Sequence, residues 1–200
     1  MKRLFGSAAV LALACGLALP VQAQTTKTME KTAKREDMKE QVKSAGGVRA
    51  SILFAVDQAQ EKLMALANAM PAEKYGWRPG EGVRSVGEVF NHVASANYFF
   101  PTLWGGKVPA GVNPQSLEKE MSGDKAKTVE TLQKSFDNVR QAILAVPEAD
   151  LDRKIKIFGH DATVRDAMMV VVTHGHEHLG QSIAYARSNG VVPPWSRPGD

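Results

Sequence analysis

From Ile52 onward the chain keeps a helical rhythm of apolar positions. Ile52, Val56, Ala59, Leu63, Leu66 and Met70 recur in steps of three and four, which lays one apolar stripe along one helix face. Pro71 ends that helix. A second begins at Ser85, whose hydroxyl can cap it while Glu88 reaches back, and buries Val86, Val89, Phe90, Val93, Ala96 and Phe100. Pro101 and Gly105-Gly106 close it. The third has the most regular spacing: Val129, Leu132, Phe136, Val139, Ile143 and Val146, stopped by Pro147. The fourth opens with Thr163 and Asp166 in capping spacing and runs to Asn189-Gly190, with Pro193-Pro194 just beyond. Lys154 to Ile157 alternates as a strand would, but it is short and isolated. Four helices of roughly 20 residues with stripes of this width predict an all-α fold, a four-helix bundle. The loops after the first three helices are long for a simple bundle, and such loops commonly line a site.

The N-terminus follows another logic. Lys2 and Arg3 precede an almost wholly apolar run from Leu4 to Leu19, and Val21-Gln22-Ala23 offers the small residues that a signal peptidase needs. The run is too short for a membrane span, so it reads as a leader cut after Ala23. Cleavage at Leu13-Ala14-Cys15 to give a lipoprotein ranks second. The expected organisation is residues 1–23 as signal peptide, 24–45 as a polar lead-in rich in Lys, Glu, Thr and Gln, and 46–200 as the helical domain. The product would be periplasmic or secreted and free of the membrane. Cys15 is the only cysteine and leaves with the leader, so the mature chain has no disulfide or thiol chemistry. Losing Lys2 and Arg3 lowers the net charge from +4 to +2. No Lys/Arg run is interleaved with aromatics, so nucleic-acid binding has no footprint.

The candidate chemistry lies in the histidines, three of the chain's five falling within Val172–Gln181. At about 100° per residue, His174 and His178 stand about 40° apart, one turn above the other, as two imidazoles reaching one metal ion require. His176 points roughly 160–200° away from both. Ala167, Val170, Val171, Gln181 and Tyr185 share the pair's stripe, which is otherwise apolar. Buried imidazoles there need partners, and a metal satisfies both at once. An open catalytic site takes three protein ligands. The third is sought among His92, at the edge of the second helix's stripe, and His160, in a Gly159-His160-Asp161 turn. His92 is preferred.

The ordered set Trp77-Arg78-Pro79, Ser85-x2-Glu88-x3-His92, His174-x3-His178-x2-Gln181 and Arg187-x2-Gly190-x2-Pro193-Pro194 resembles the DinB/YfiT-like proteins. The likeness spans about residues 48–195. It implies a four-helix bundle of the DinB/YfiT type, often dimeric, holding a divalent metal through His92, His174 and His178. It also implies transfer of low-molecular-weight thiols, or isomerisation and hydrolysis with them.

Such a site predicts a metal-dependent hydrolase or transferase acting on a small molecule, with a non-catalytic metal-binding or structural bundle as the alternative. Histidine nitrogens suit zinc first by coordination habit, with nickel, copper, iron or manganese as alternatives. Gln181 and Tyr185 are placed to orient a water or substrate, and Trp77 and Trp104 to line the pocket. Glu177 falls on the solvent side, which leaves no general acid or base assigned. Met169, Val172 and Ile183, opposite the metal stripe, predict a second apolar face on the fourth helix. A C2 homodimer would cover it, or else the loops and the Val191–Trp195 segment.

Overall fold

The structure, a computed structural model, describes residues 45–120 and 123–196, and the single positions Met29, Ala33, Glu36, Asp37 and Glu40. The chain divides into Met1–Gln41 and Val42–Asp200. The expected leader and most of the polar lead-in lie outside the described residues. Within the second unit five helices follow one another: α1 (Gly47–Ala69), α2 (Val86–Phe99), α3 (Pro114–Glu120), α4 (Lys125–Leu144) and α5 (Val164–Ser188). A hairpin of β1 (Lys154–Ile157) and β2 (His160–Thr163) stands between α4 and α5, and short 3-10 turns fill several connections.

The capping chemistry read from the sequence is present in atomic detail. Ser85 accepts from the Glu88 amide while Glu88 accepts from the Ser85 amide, and Thr163 and Asp166 do the same at the start of α5. Asp124 caps α4 by accepting from the Lys127 amide. Each long helix packs on two others: α1 on α4 and α5, α2 on α4 and α5. Between them Leu53, Leu63 and Leu66 of α1 meet Val89, Phe90 and Val93 of α2, Leu132, Phe136 and Val139 of α4, and Val164, Met168 and Val171 of α5 in one buried cluster. Val129, expected in the buried stripe, is only half-buried at its edge. A Cβ on Gly175, beside His174, would stand 3.5 Å from the Ala59 Cβ, an ordinary van der Waals contact between α5 and α1.

Two features depart from the expected all-α four-helix bundle, a hairpin and a fifth, short helix. The alternation of Lys154–Ile157 does make a strand, and its antiparallel partner runs Ile157↔His160 to Lys154↔Thr163. His-Asp-Ala-Thr carries no apolar alternation because both its faces are largely open to water, so nothing in its pattern announces a strand. The turn places Phe158 at φ 49 and Gly159 at φ 89. A left-handed conformation is unusual for phenylalanine, and its ring stacks on Phe99 at 6.4 Å. The second departure is α3, seven residues in the long connection after α2, tied to that helix by a Ser95 Oγ–H bond to the Pro114 carbonyl at 2.6 Å.

The second apolar face expected on α5 is partly covered within the chain. Val172 and Ile183 pack at the edge of the core, whereas Met169 is 43% exposed. Among the described residues no helix is long and apolar enough to cross a membrane.

One buried charge joins α1 to α4. The Arg140 side chain is 2% exposed and donates to Asp57 and, at 2.5 Å, to Gln60 Oε1. Asp137 stands farther off, 3.7 Å from the guanidinium, so removing Asp57 leaves the buried charge only partly compensated, which costs more than the pair contributes. Asp57→Ala is therefore expected to destabilise the chain in urea by about 2–3 kcal/mol, discounted for the partial exposure of Asp57. The exposed Glu61→Ala control should change stability by no more than about 0.5 kcal/mol. Equal midpoints for the two variants would contradict this role for Arg140.

Candidate metal centre

Two long helices and the short one converge on a single cluster. His92 comes from the middle of α2, and His174 and His178 from successive turns of α5. One ring nitrogen from each of the three lies within 4.8 Å of the others, and the His92 and His174 Nε2 atoms are 3.1 Å apart. The rings stand nearly on edge to one another, His92 to His178 at 82° and His174 to His178 at 71°. His178 is buried, and His92 and His174 are half-buried. Phe100 sets its edge against His174 at 5.4 Å.

Hydrogen bonds decide which nitrogen of each ring faces inward. A carboxylate only accepts, so Glu118 Oε2, 3.1 Å from His92 Nδ1, holds the proton on Nδ1 and leaves Nε2 bare. On α5 the direction is set from the far end. The Arg84 carbonyl accepts from the Tyr185 hydroxyl at 3.1 Å, and that hydroxyl accepts from Gln181 Nε2 at 3.0 Å. Gln181 Oε1 thus receives the His178 Nδ1–H at 2.8 Å, and the Nε2 lone pair of His178 is free. Trp77 lies edge-on against Tyr185 at 5.3 Å and touches the cluster only through it.

Burial disfavours charge on these rings. His174 is pushed down to about 3, by burial first, then by His178, His92 and the Arg84 guanidinium. His92 is lowered as well, by burial, Arg84 and His178, with Glu118 acting in the opposite direction. These two rings are kept neutral, the form that binds metal.

This donor set fits a divalent ion with a taste for imidazole. Nitrogens bound to one zinc at about 2.0–2.1 Å in tetrahedral geometry stand about 3.3 Å apart, close to the spacing of the His92 and His174 pair. Among the described residues no fourth His, Cys or carboxylate joins the group. His176 is exposed and donates from Nδ1 to the Val172 carbonyl, and His160 is exposed at the start of β2. Glu177 is exposed. Trp104, expected near the pocket, donates instead to the Ala142 carbonyl of α4 at 3.3 Å. Reading the sequence alone misses Glu118 and Arg84. Their only signal is the length of the loops that carry them, after the first helix for Arg84 and after the second for Glu118.

The lowered pKa of His174 has a signed consequence. As pH falls, the unfolded chain takes up this proton first, near the ordinary value of 6.5, while the folded chain resists until about 3. The metal-free protein should therefore lose thermal stability between pH 6.5 and 4, and His174→Gln should flatten that slope. Melting curves in chelator test this, and a slope unaffected by the substitution would contradict it.

The comparisons with known proteins follow the same lines. No curated protein matches the chain. A DinB-like protein from Bacillus subtilis shares its fold at a TM-score of 0.55 and 20% identity, over 70% of this chain and 92% of that one. Another from Bacillus cereus gives 0.57 at 16% identity, over 72% and 93%. The family model of the DinB superfamily matches residues 55–182, a span that runs from within α1 to within α5 and holds the three histidines and Glu118. The chain belongs to the DinB superfamily.

Proposed function

We propose that this protein is an exported metal-dependent enzyme, a hydrolase or transferase of small molecules, built on a DinB-type four-helix bundle. The observation that carries the reading is the convergence of His92, His174 and His178, with Nε2 of His92 and of His178 left bare by the bonds to Glu118 and Gln181. Zinc is the first choice of metal, because three neutral imidazoles without a thiolate or direct carboxylate suit a borderline ion. A divalent ion held by the three supplies Lewis acidity to a carbonyl, thiol or water that reaches it. The chain's own residues orient the ligands: Glu118 and Gln181 fix two rings, Phe100 packs its edge against His174, and Trp77 supports Tyr185 behind Gln181. Three protein ligands rather than four favour a site open to substrate over a closed structural one.

Metal analysis of periplasmically produced protein tests the reading. One divalent ion per chain is expected, lost in His92→Ala, His174→Ala and His178→Ala and kept in His176→Ala. Loss in His176→Ala with retention in His174→Ala would overturn the ligand set. A panel of thiol and ester substrates on the metal-loaded form then separates enzyme from metal-binding module.

Export and assembly belong to the same proposal. The mature chain is expected to start at Gln24, which mass spectrometry of the exported product reads directly. A lipidated fragment starting at Cys15 would establish the other route. The exposed Phe54 of α1 and Met169 of α5, two helices packed together, support a homodimer. Light scattering should give twice the chain mass, and Met169→Glu should shift it toward the monomer. A monomer mass for the unmodified chain rules the dimer out.

A further inference from the structure

Two hydrogen-bond chains leave the histidine cluster, and both end on the same residue. One runs from His178 through Gln181 and Tyr185 to the Arg84 carbonyl. The other runs from His92 through Glu118 to the Arg84 guanidinium, whose Nε donates to Glu118 Oε1 at 2.8 Å. A carbonyl only accepts, which sets the direction of the first chain, and the Glu118 carboxylate accepts from both of its neighbours, which sets the His92 bond in the second. Both directions finish with a proton on Nδ1 and a lone pair on Nε2. We propose that Arg84 and Glu118 are positioning residues of the metal centre, one residue setting ring orientation and tautomer in two of its three ligands.

The placement of Arg84 supports this role. It immediately precedes Ser85, the N-cap of α2, where the Ser85–Glu88 capping box holds the backbone. The Val86 amide donates to the Trp77 carbonyl at 2.9 Å, and Trp77 in turn packs on Tyr185. The Arg84 carbonyl is thus part of a fixed turn. On the other side Glu118 is presented by α3, anchored by buried Leu117 and by the Ser95 bond. As an ion pair alone, Arg84–Glu118 would contribute little, since both side chains are 29–40% exposed. What sets it apart is the second Glu118 oxygen, which lies on a ligand. Such outer partners typically change metal affinity by about 10–100-fold.

The proposal rests on the reading of the triad as a metal site, and cobalt separates the two. The metal-free full-length chain is titrated with Co(II), and affinity and visible absorption are read together with the circular dichroism of each variant. Glu118→Ala and Arg84→Ala should each weaken cobalt binding about 10–100-fold and alter the absorption while helicity stays the same. Glu118→Gln keeps an acceptor oxygen without the charge and should lose less, which separates a positioning role from misfolding. The double variant Arg84→Ala/Glu118→Ala should bind no worse than Glu118→Ala, because the two act through one contact. Glu118→Ala/Gln181→Ala should multiply the single losses, because those chains reach different rings. If the unmodified chain takes no cobalt, the metal reading fails and this proposal with it. If it takes cobalt but Glu118→Ala binds within about twofold with the same absorption, the positioning role alone is overturned.

Discussion

Two imidazole nitrogens 3.1 Å apart, in rings that burial keeps neutral, cannot both present bare lone pairs to each other. Either a shared proton or a cation must lie between them. His92 has already committed its proton to Glu118 through Nδ1, so without a metal the bond must come from His174 Nε2–H. A divalent ion resolves the same conflict for all three rings at once. The cluster is compatible with one divalent ion held by the three rings.

The rest of the architecture brings α2 and α5 to that separation and keeps them there. The buried leucines, valines and phenylalanines of the four long helices fix the distance. Capping boxes at Ser85 and Thr163 set where α2 and α5 begin. A shift of one residue in either start would turn its histidines by about 100° and disperse the cluster. Hence local capping chemistry, worth on the order of 1 kcal/mol per helix, decides the position of groups a full helix turn or more away.

The helical period made much of this legible in advance. It located the four long helices and both capping boxes. It also told His174 and His178 apart from His176, because an angle per residue is a local property. The choice of His92 over His160 required only the edge of an apolar stripe. What stayed hidden depends on contacts between distant segments. Glu118 lies in a seven-residue helix with no period to detect, and its meaning comes from α2, 26 residues earlier. β2 is polar on both faces and becomes a strand only because β1 pairs with it. Gln181 and Tyr185 were visible on the histidine stripe, but the bond from His178 to Gln181 and on to Tyr185 was not.

The central claim is that the three histidines bind one ion through Nε2, with Nδ1 of His92 and His178 protonated toward Glu118 and Gln181. Long-range proton–nitrogen correlation spectra of the histidine rings in the zinc-loaded protein read the tautomer of each ring directly. The account predicts Nε2 metallated in His92, His174 and His178, with His176 and His160 unchanged by zinc. Zinc on Nδ1 of His92 or His178, or spectra of these three rings that ignore the metal, would contradict it.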